Sequence, residues 1–144
     1  MSKYAGTKTE KNLMEAFAGE SQARNKYTYY ASAARKAGFV QMANIFEETA
    51  NQEKEHAKMW FKEFHGIGSV EETLVDAAAG ENEEWTSMYA RMAQEAREEG
   101  FEELAAKFEL VASVEAAHEK RYLKLLESYR NGTTFKGDAP LGWK

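Results

Sequence analysis

Cysteine is absent from the 144 residues, which excludes thiolate nucleophiles, zinc–thiolate sites, iron–sulfur clusters and disulfides together. Any metal bound here must be held by oxygen and imidazole. The one proline, Pro140, stands near the C-terminus, so no helix in the body of the chain is interrupted by it. No β-rich stretch competes with the helical periodicity, no segment approaches the length of a membrane span, and Met1 to Gly6 lacks the apolar run of a signal peptide. The expected compartment is the cytoplasm. A net charge of −5, with no basic stripe of interleaved aromatics, argues against nucleic acid as a partner. What remains, 43% hydrophobic and 30% charged residues in a chain of one-domain length, fits a soluble helical protein.

Periodicity and stop signals divide the chain into four helices. Thr7-Lys8-Thr9-Glu10 has capping-box spacing, and the helix it opens runs to Ala37, before Gly38. A second helix extends from about Phe39 to Phe64 or His65, ahead of Gly66 and Gly68. Ser69-Val70-Glu71-Glu72 is another capping box, so residues from about 70 either join the third helix or form a short one of their own. The third helix covers Glu81 to about Glu98, and the fourth Phe101 to about Tyr129. The expected organisation is one domain over residues 1–132 and an irregular tail over 133–144.

The second helix carries Glu53-Lys54-Glu55-His56, and the fourth carries Glu115-Ala116-Ala117-His118. Residues three apart on an α-helix project from one face towards one point, which is a chelating geometry. Both pairs stand in seams of four-three spacing: Met42, Phe46, Thr49, Glu53, His56, Trp60, and Leu104, Phe108, Val111, Glu115, His118, Tyr122, Leu125. Such seams are expected to be buried. A carboxylate there needs a positive partner, and neither seam supplies Lys or Arg beside it. A bound cation meets that need.

The two halves of the chain repeat. Ala18-Gly19-Glu20 aligns with Ala79-Gly80-Glu81; one residue of slip later, Gly38-Phe39, Phe46, Glu53 and His56 align with Gly100-Phe101, Phe108, Glu115 and His118. This is a duplicated helical hairpin. It predicts an all-α, ferritin-like four-helix bundle in which four acids and two imidazoles converge, enough for two ions sharing carboxylates. Glu84 breaks the repeat, standing where the first half has Ala23.

At these residues the chain closely resembles the rubrerythrins, non-haem di-iron peroxidases of the ferritin-like superfamily. The likeness extends from about Thr9 to Lys144, and its specific runs are Glu-Ala-Phe-Ala-Gly-Glu-Ser-Gln-Ala at 15–23, Ala-Gly-Glu-Asn-Glu-Glu-Trp-Thr-Ser-Met-Tyr at 79–89 and Glu-Ala-Ala-His-Glu-Lys-Arg at 115–121. The resemblance implies two iron ions bridged by Glu53 and Glu115, with Glu20 terminal on one and Glu81 and His118 completing the other. Glu84 and His56 would exchange on the first iron with oxidation state. Tyr27 and Tyr89 would donate hydrogen bonds to ligand carboxylates. Rubrerythrins usually continue into a cysteine-rich rubredoxin domain, whereas this sequence stops at Lys144, so electrons are expected from an external donor such as rubredoxin.

The function expected is reduction of hydrogen peroxide to water in protection against oxidative stress. Two other readings use the same residues differently: oxidation and storage of Fe(II), as in ferritins, and a structural helical bundle whose acids are solvated. A homodimer is expected. Two connections are open: residues 66 to about 79 cross the bundle's length within one chain, or, with residues 70–80 part of the third helix, the second hairpin packs in a partner chain as a domain-swapped dimer.

Overall fold

The computed structural model describes residues 2–134. Four helical rods form two hairpins, the layout expected of the all-α, ferritin-like class. Residues 2–67 make the first compact unit and residues from 68 the second. Of the tail expected over 133–144, only Thr133 and Thr134 lie within the described residues.

In the first hairpin α1 (Lys8–Lys36) pairs with α2 (Val40–Phe64). Thr7 caps α1 by accepting from the Glu10 backbone N–H. The reversal at Gly38 is a Schellman stop, with Phe39 N–H donating to Ala34 O and Gly38 N–H to Arg35 O. Its φ of 91° is the left-handed conformation that glycine adopts at low cost. Arg35 then reaches across to Glu47 at 2.6 Å.

The second hairpin repeats these devices sixty-two residues on. Its first rod is α3 (Val70–Glu83), a π-turn (Glu84–Met88) and α4 (Tyr89–Glu98), and its second is α5 (Glu102–Arg130). Ser69 and Glu72 complete the capping box expected at the start of α3, so residues from 70 belong to the third rod. Gly100 reverses the chain with φ 89°, Phe101 N–H donates to Ala96 O, and Arg97 pairs with Glu109 at 2.5 Å. The aromatic packing repeats too: Tyr27 lies on Phe46 at 6.0 Å and Tyr89 on Phe108 at 6.1 Å between ring centroids.

The π-turn is the physical form of the one-residue slip between the repeats. Six residues separate Glu20 from Tyr27, but seven separate Glu81 from Tyr89. A helix absorbs one extra residue by widening a single turn to i→i+5 bonding, and here Tyr89 N–H donates to Glu84 O. The regular third helix expected from periodicity is therefore interrupted where Glu84 enters.

The helices of each hairpin meet along alanine. Ala31, Ala34, Ala43, Ala50 and Ala57 are buried in the first hairpin; Ala78, Ala93, Ala96 and Ala105 are buried in the second, with Leu126. Larger members of the expected seams, Met42, Leu104, Val111 and Leu125, are exposed. This corrects the buried-seam expectation: two helices cover only one side of each other, and alanine contacts bury little apolar area. Neither hairpin closes a core of its own.

Candidate metal centre

Each hairpin assembles one ligand triad. Glu20 of α1 meets Glu53 and His56 of α2, and Glu81 of α3 meets Glu115 and His118 of α5; within each triad the potential ligand atoms lie within 4.8 Å of one another. His56 Nδ1 is 3.0 Å from Glu20 and 3.7 Å from Glu53. His118 Nδ1 is 3.4 Å from Glu81 and 3.8 Å from Glu115. The i,i+3 pair on one helix and the acid on its neighbour thus point to one place, twice, as the spacing predicts.

The carboxylates are half-buried, with side chains 16–26% exposed, while His56 and His118 are 52% and 39% exposed. The imidazoles are more open than a buried seam implies. Glu20 Oε2 and Glu81 Oε2 are hidden from solvent and make no aligned hydrogen bond. The short contact of Glu20 Oε2 to His56 is therefore proximity without a bond. A buried carboxylate oxygen with no donor is costly, and a cation among the two acids and the imidazole supplies the missing partner. Oxygen and imidazole donors suit a first-row divalent metal.

Glu84 is a neighbour of the second triad without being one of its three members. Burial, above all, and the neighbouring Glu115 push its carboxyl up to about 7. Burial also raises Glu81, with Glu115 adding to the effect, and it raises Glu20 in the first hairpin, where Glu53 adds. Glu115 is lowered, because the neighbouring Glu81 and Glu84 carboxyls favour its charged form. Without metal, then, protons on the surrounding acids stabilise one central carboxylate.

This arrangement fixes a pH dependence. Glu84 holds its proton more tightly folded than unfolded, so from its ordinary 4.5 up to about 7 the folded state carries more protons and loses stability as pH rises. Glu20 and Glu81 act in the same sense; Glu115 acts oppositely, losing stability as pH falls below the ordinary carboxylate range. The urea midpoint of metal-free protein should drop from about pH 5.5 to about pH 8, and Glu84→Gln should flatten that drop. An unchanged slope in the variant would remove Glu84 as its source.

The contacts that Tyr27 and Tyr89 make are through their rings. Tyr27 packs on Tyr30 and Phe46, and Tyr89 on Phe108. Neither hydroxyl makes the expected hydrogen bond to a ligand carboxylate in this structure. Periodicity gave no sign of a further contact, in which Glu119 accepts from Trp85 and Asn82.

Among known proteins, the family model described as Rubrerythrin matches residues 11–78 and again 72–139, one stretch per hairpin. A rubrerythrin from Porphyromonas gingivalis is 51% identical over 96% of this chain and 76% of its own length. Rubrerythrin-1 from Clostridium acetobutylicum is 47% identical over 100% of this chain and 83% of its own. The rubrerythrin of Nitratidesulfovibrio vulgaris is 43% identical over 100% and 82%. With the family pattern matched once on each hairpin and both triads inside the matched residues, this chain belongs to the rubrerythrin family.

Proposed function

We propose that the protein is a cytoplasmic di-iron peroxidase that reduces hydrogen peroxide to water with electrons from an external donor such as rubredoxin. The observation that carries this reading is the pair of matched Glu/Glu/His triads, each with a hidden, unpartnered carboxylate oxygen, in a chain of this family. Glu20, Glu53 and His56 would hold iron from one hairpin, and Glu81, Glu84, Glu115 and His118 from the other. When bound, two ferrous ions supply the two electrons that peroxide takes up with two protons to give two waters.

The chain's own groups do the rest. Glu53 and Glu115 would be the carboxylates shared between the ions, and Glu20 and Glu81, whose carboxyls burial raises, would lose their protons on ligating. Glu84 offers an anionic oxygen suited to the oxidised ion and His56 an imidazole suited to the reduced one. Tyr27 and Tyr89 serve as phenolic donors to the ligand carboxylates once these are ionised. Glu84 has no counterpart in the first hairpin, and this additional carboxylate favours redox cycling over iron storage.

Both triads are needed for two ions, and we assign their pairing to a domain-swapped homodimer. In the ferritin-like class a long crossover joins the two hairpins, so that the second and third helices run parallel. Glu53 lies eleven residues before the end of α2 and Glu81 eleven after the start of α3. Bringing them level in one chain asks the connection to span about 33 Å. Residues 65–69, fully extended, reach about 22 Å at most. A second copy removes the need, and it also covers the exposed apolar seams.

The test is anaerobic stopped-flow mixing of the di-ferrous protein. Peroxide should oxidise both irons much faster than air-saturated buffer does; faster oxidation by oxygen would overturn the peroxidase reading in favour of a ferroxidase.

A further inference from the structure

Glu119 belongs to neither triad, yet it grips the segment that carries two of the acids. Its Oε1 accepts from Trp85 Nε1 at 2.7 Å and from Asn82 Nδ2 at 3.2 Å. Asn82 follows Glu81, Trp85 follows Glu84, and Glu119 itself follows His118. One oxygen on α5 therefore ties both flanks of the stretch where α3 gives way to the π-turn.

Such a tie selects where a π-turn sits. Its wide turn packs poorly down the axis, and the extra residue can in principle sit at neighbouring places along the rod. Each one-residue move rotates a side chain it passes by about 100° around the helix. Whether Glu84 faces Glu115 or turns away depends on where the widened turn is held.

The first hairpin acts as an internal control. The position matching Glu119 is Ala57, which is buried and has no side-chain acceptor, and the one matching Asn82 is Ser21, whose hydroxyl bonds back to Phe17 O. There α1 runs as unbroken α-helix from Lys8 to Lys36. The clamp and the π-turn are present together in one hairpin and absent together in the other.

We infer that Glu119 is the positioning residue of the π-turn, fixing its place along the rod and thereby holding the Glu84 carboxyl against Glu115. The clamp stands on the geometry alone; its effect on the iron centre rests on the role proposed for Glu84.

Two measurements test it. In metal-free protein, Glu119→Ala should speed hydrogen exchange of the amides at 85–89 about tenfold, the loss of one good hydrogen bond, while Glu119→Gln, which keeps an acceptor oxygen, stays within about threefold of wild type. Trp85→Phe should reproduce much of the alanine effect from the donor side. Unchanged exchange in Glu119→Ala, or equal acceleration in Glu119→Gln, would overturn the clamp. In iron-loaded protein, Glu119→Ala should move the midpoint potential in the same direction as Glu84→Ala, and the double variant should move it no further than Glu84→Ala alone. Additive shifts would overturn action through Glu84. A Glu84→Ala potential equal to wild type, with the exchange result intact, would instead sink the role proposed for Glu84 and leave the clamp standing.

Discussion

Two variants that each fail alone should recover function when mixed. Glu53→Ala removes a carboxylate from the first triad, and Glu115→Ala removes one from the second. In a swapped homodimer each centre takes one triad from each copy, so a mixed dimer has one centre lacking both carboxylates and one lacking neither. Unfolding and refolding the two chains together in equal amounts makes half the dimers mixed, and about a quarter of all centres should be whole. Iron content and peroxide turnover should return to about that level. Mixing without unfolding should restore nothing until subunits exchange. If each chain completed its own centre, every centre would stay defective and the refolded mixture would remain as inactive as its parents. The experiment therefore decides between pairing across copies and pairing within one.

The largest single-site loss is expected at Glu115. Its carboxylate lies 3.8 Å from His118 Nδ1, and the neighbouring Glu81 and Glu84 hold it below the usual carboxylate range. Glu115→Ala takes from the metal a ligand proposed to bridge. Tight binding of two irons should be lost and peroxide turnover should fall by at least about a hundredfold, more than the loss of an outer-sphere partner causes. Anaerobic iron titration with turnover on the same sample measures both. Retention of two tightly held irons would contradict the bridging assignment. Far-UV circular dichroism should stay near wild type, because Glu115 makes no contact that helix formation needs.

Much of this is legible in the sequence. Capping boxes, glycine stops and four-three spacing placed the rod ends to within a residue or two, apart from the start of the third rod, left open between about 70 and 81. Those signals are local: Gly38 and Gly100 reverse the chain through their own φ angles. The triads were equally legible, because Glu-x-x-His needs only helical geometry and the repeat supplies the facing acid. The π-turn was visible only as the slip between Glu20 and Tyr27 on one side and Glu81 and Tyr89 on the other. Nothing in periodicity said that the slip would be taken up at Glu84 rather than in a loop.

The sequence by itself determined the helices, the duplication, the absence of thiolate ligands and the six side chains that form the triads, because each follows from backbone geometry over a few residues or from residue type. Only the tertiary structure decided which partners meet over long separations. It decided that Glu119 grips Trp85 and Asn82, that Glu84 enters through a widened turn, and that Met42, Leu104 and Val111 are left open while alanines line each hairpin. The reason is physical: a helical pattern states which face of a rod is apolar, but what covers that face depends on packing against chain that is distant in sequence or belongs to another copy.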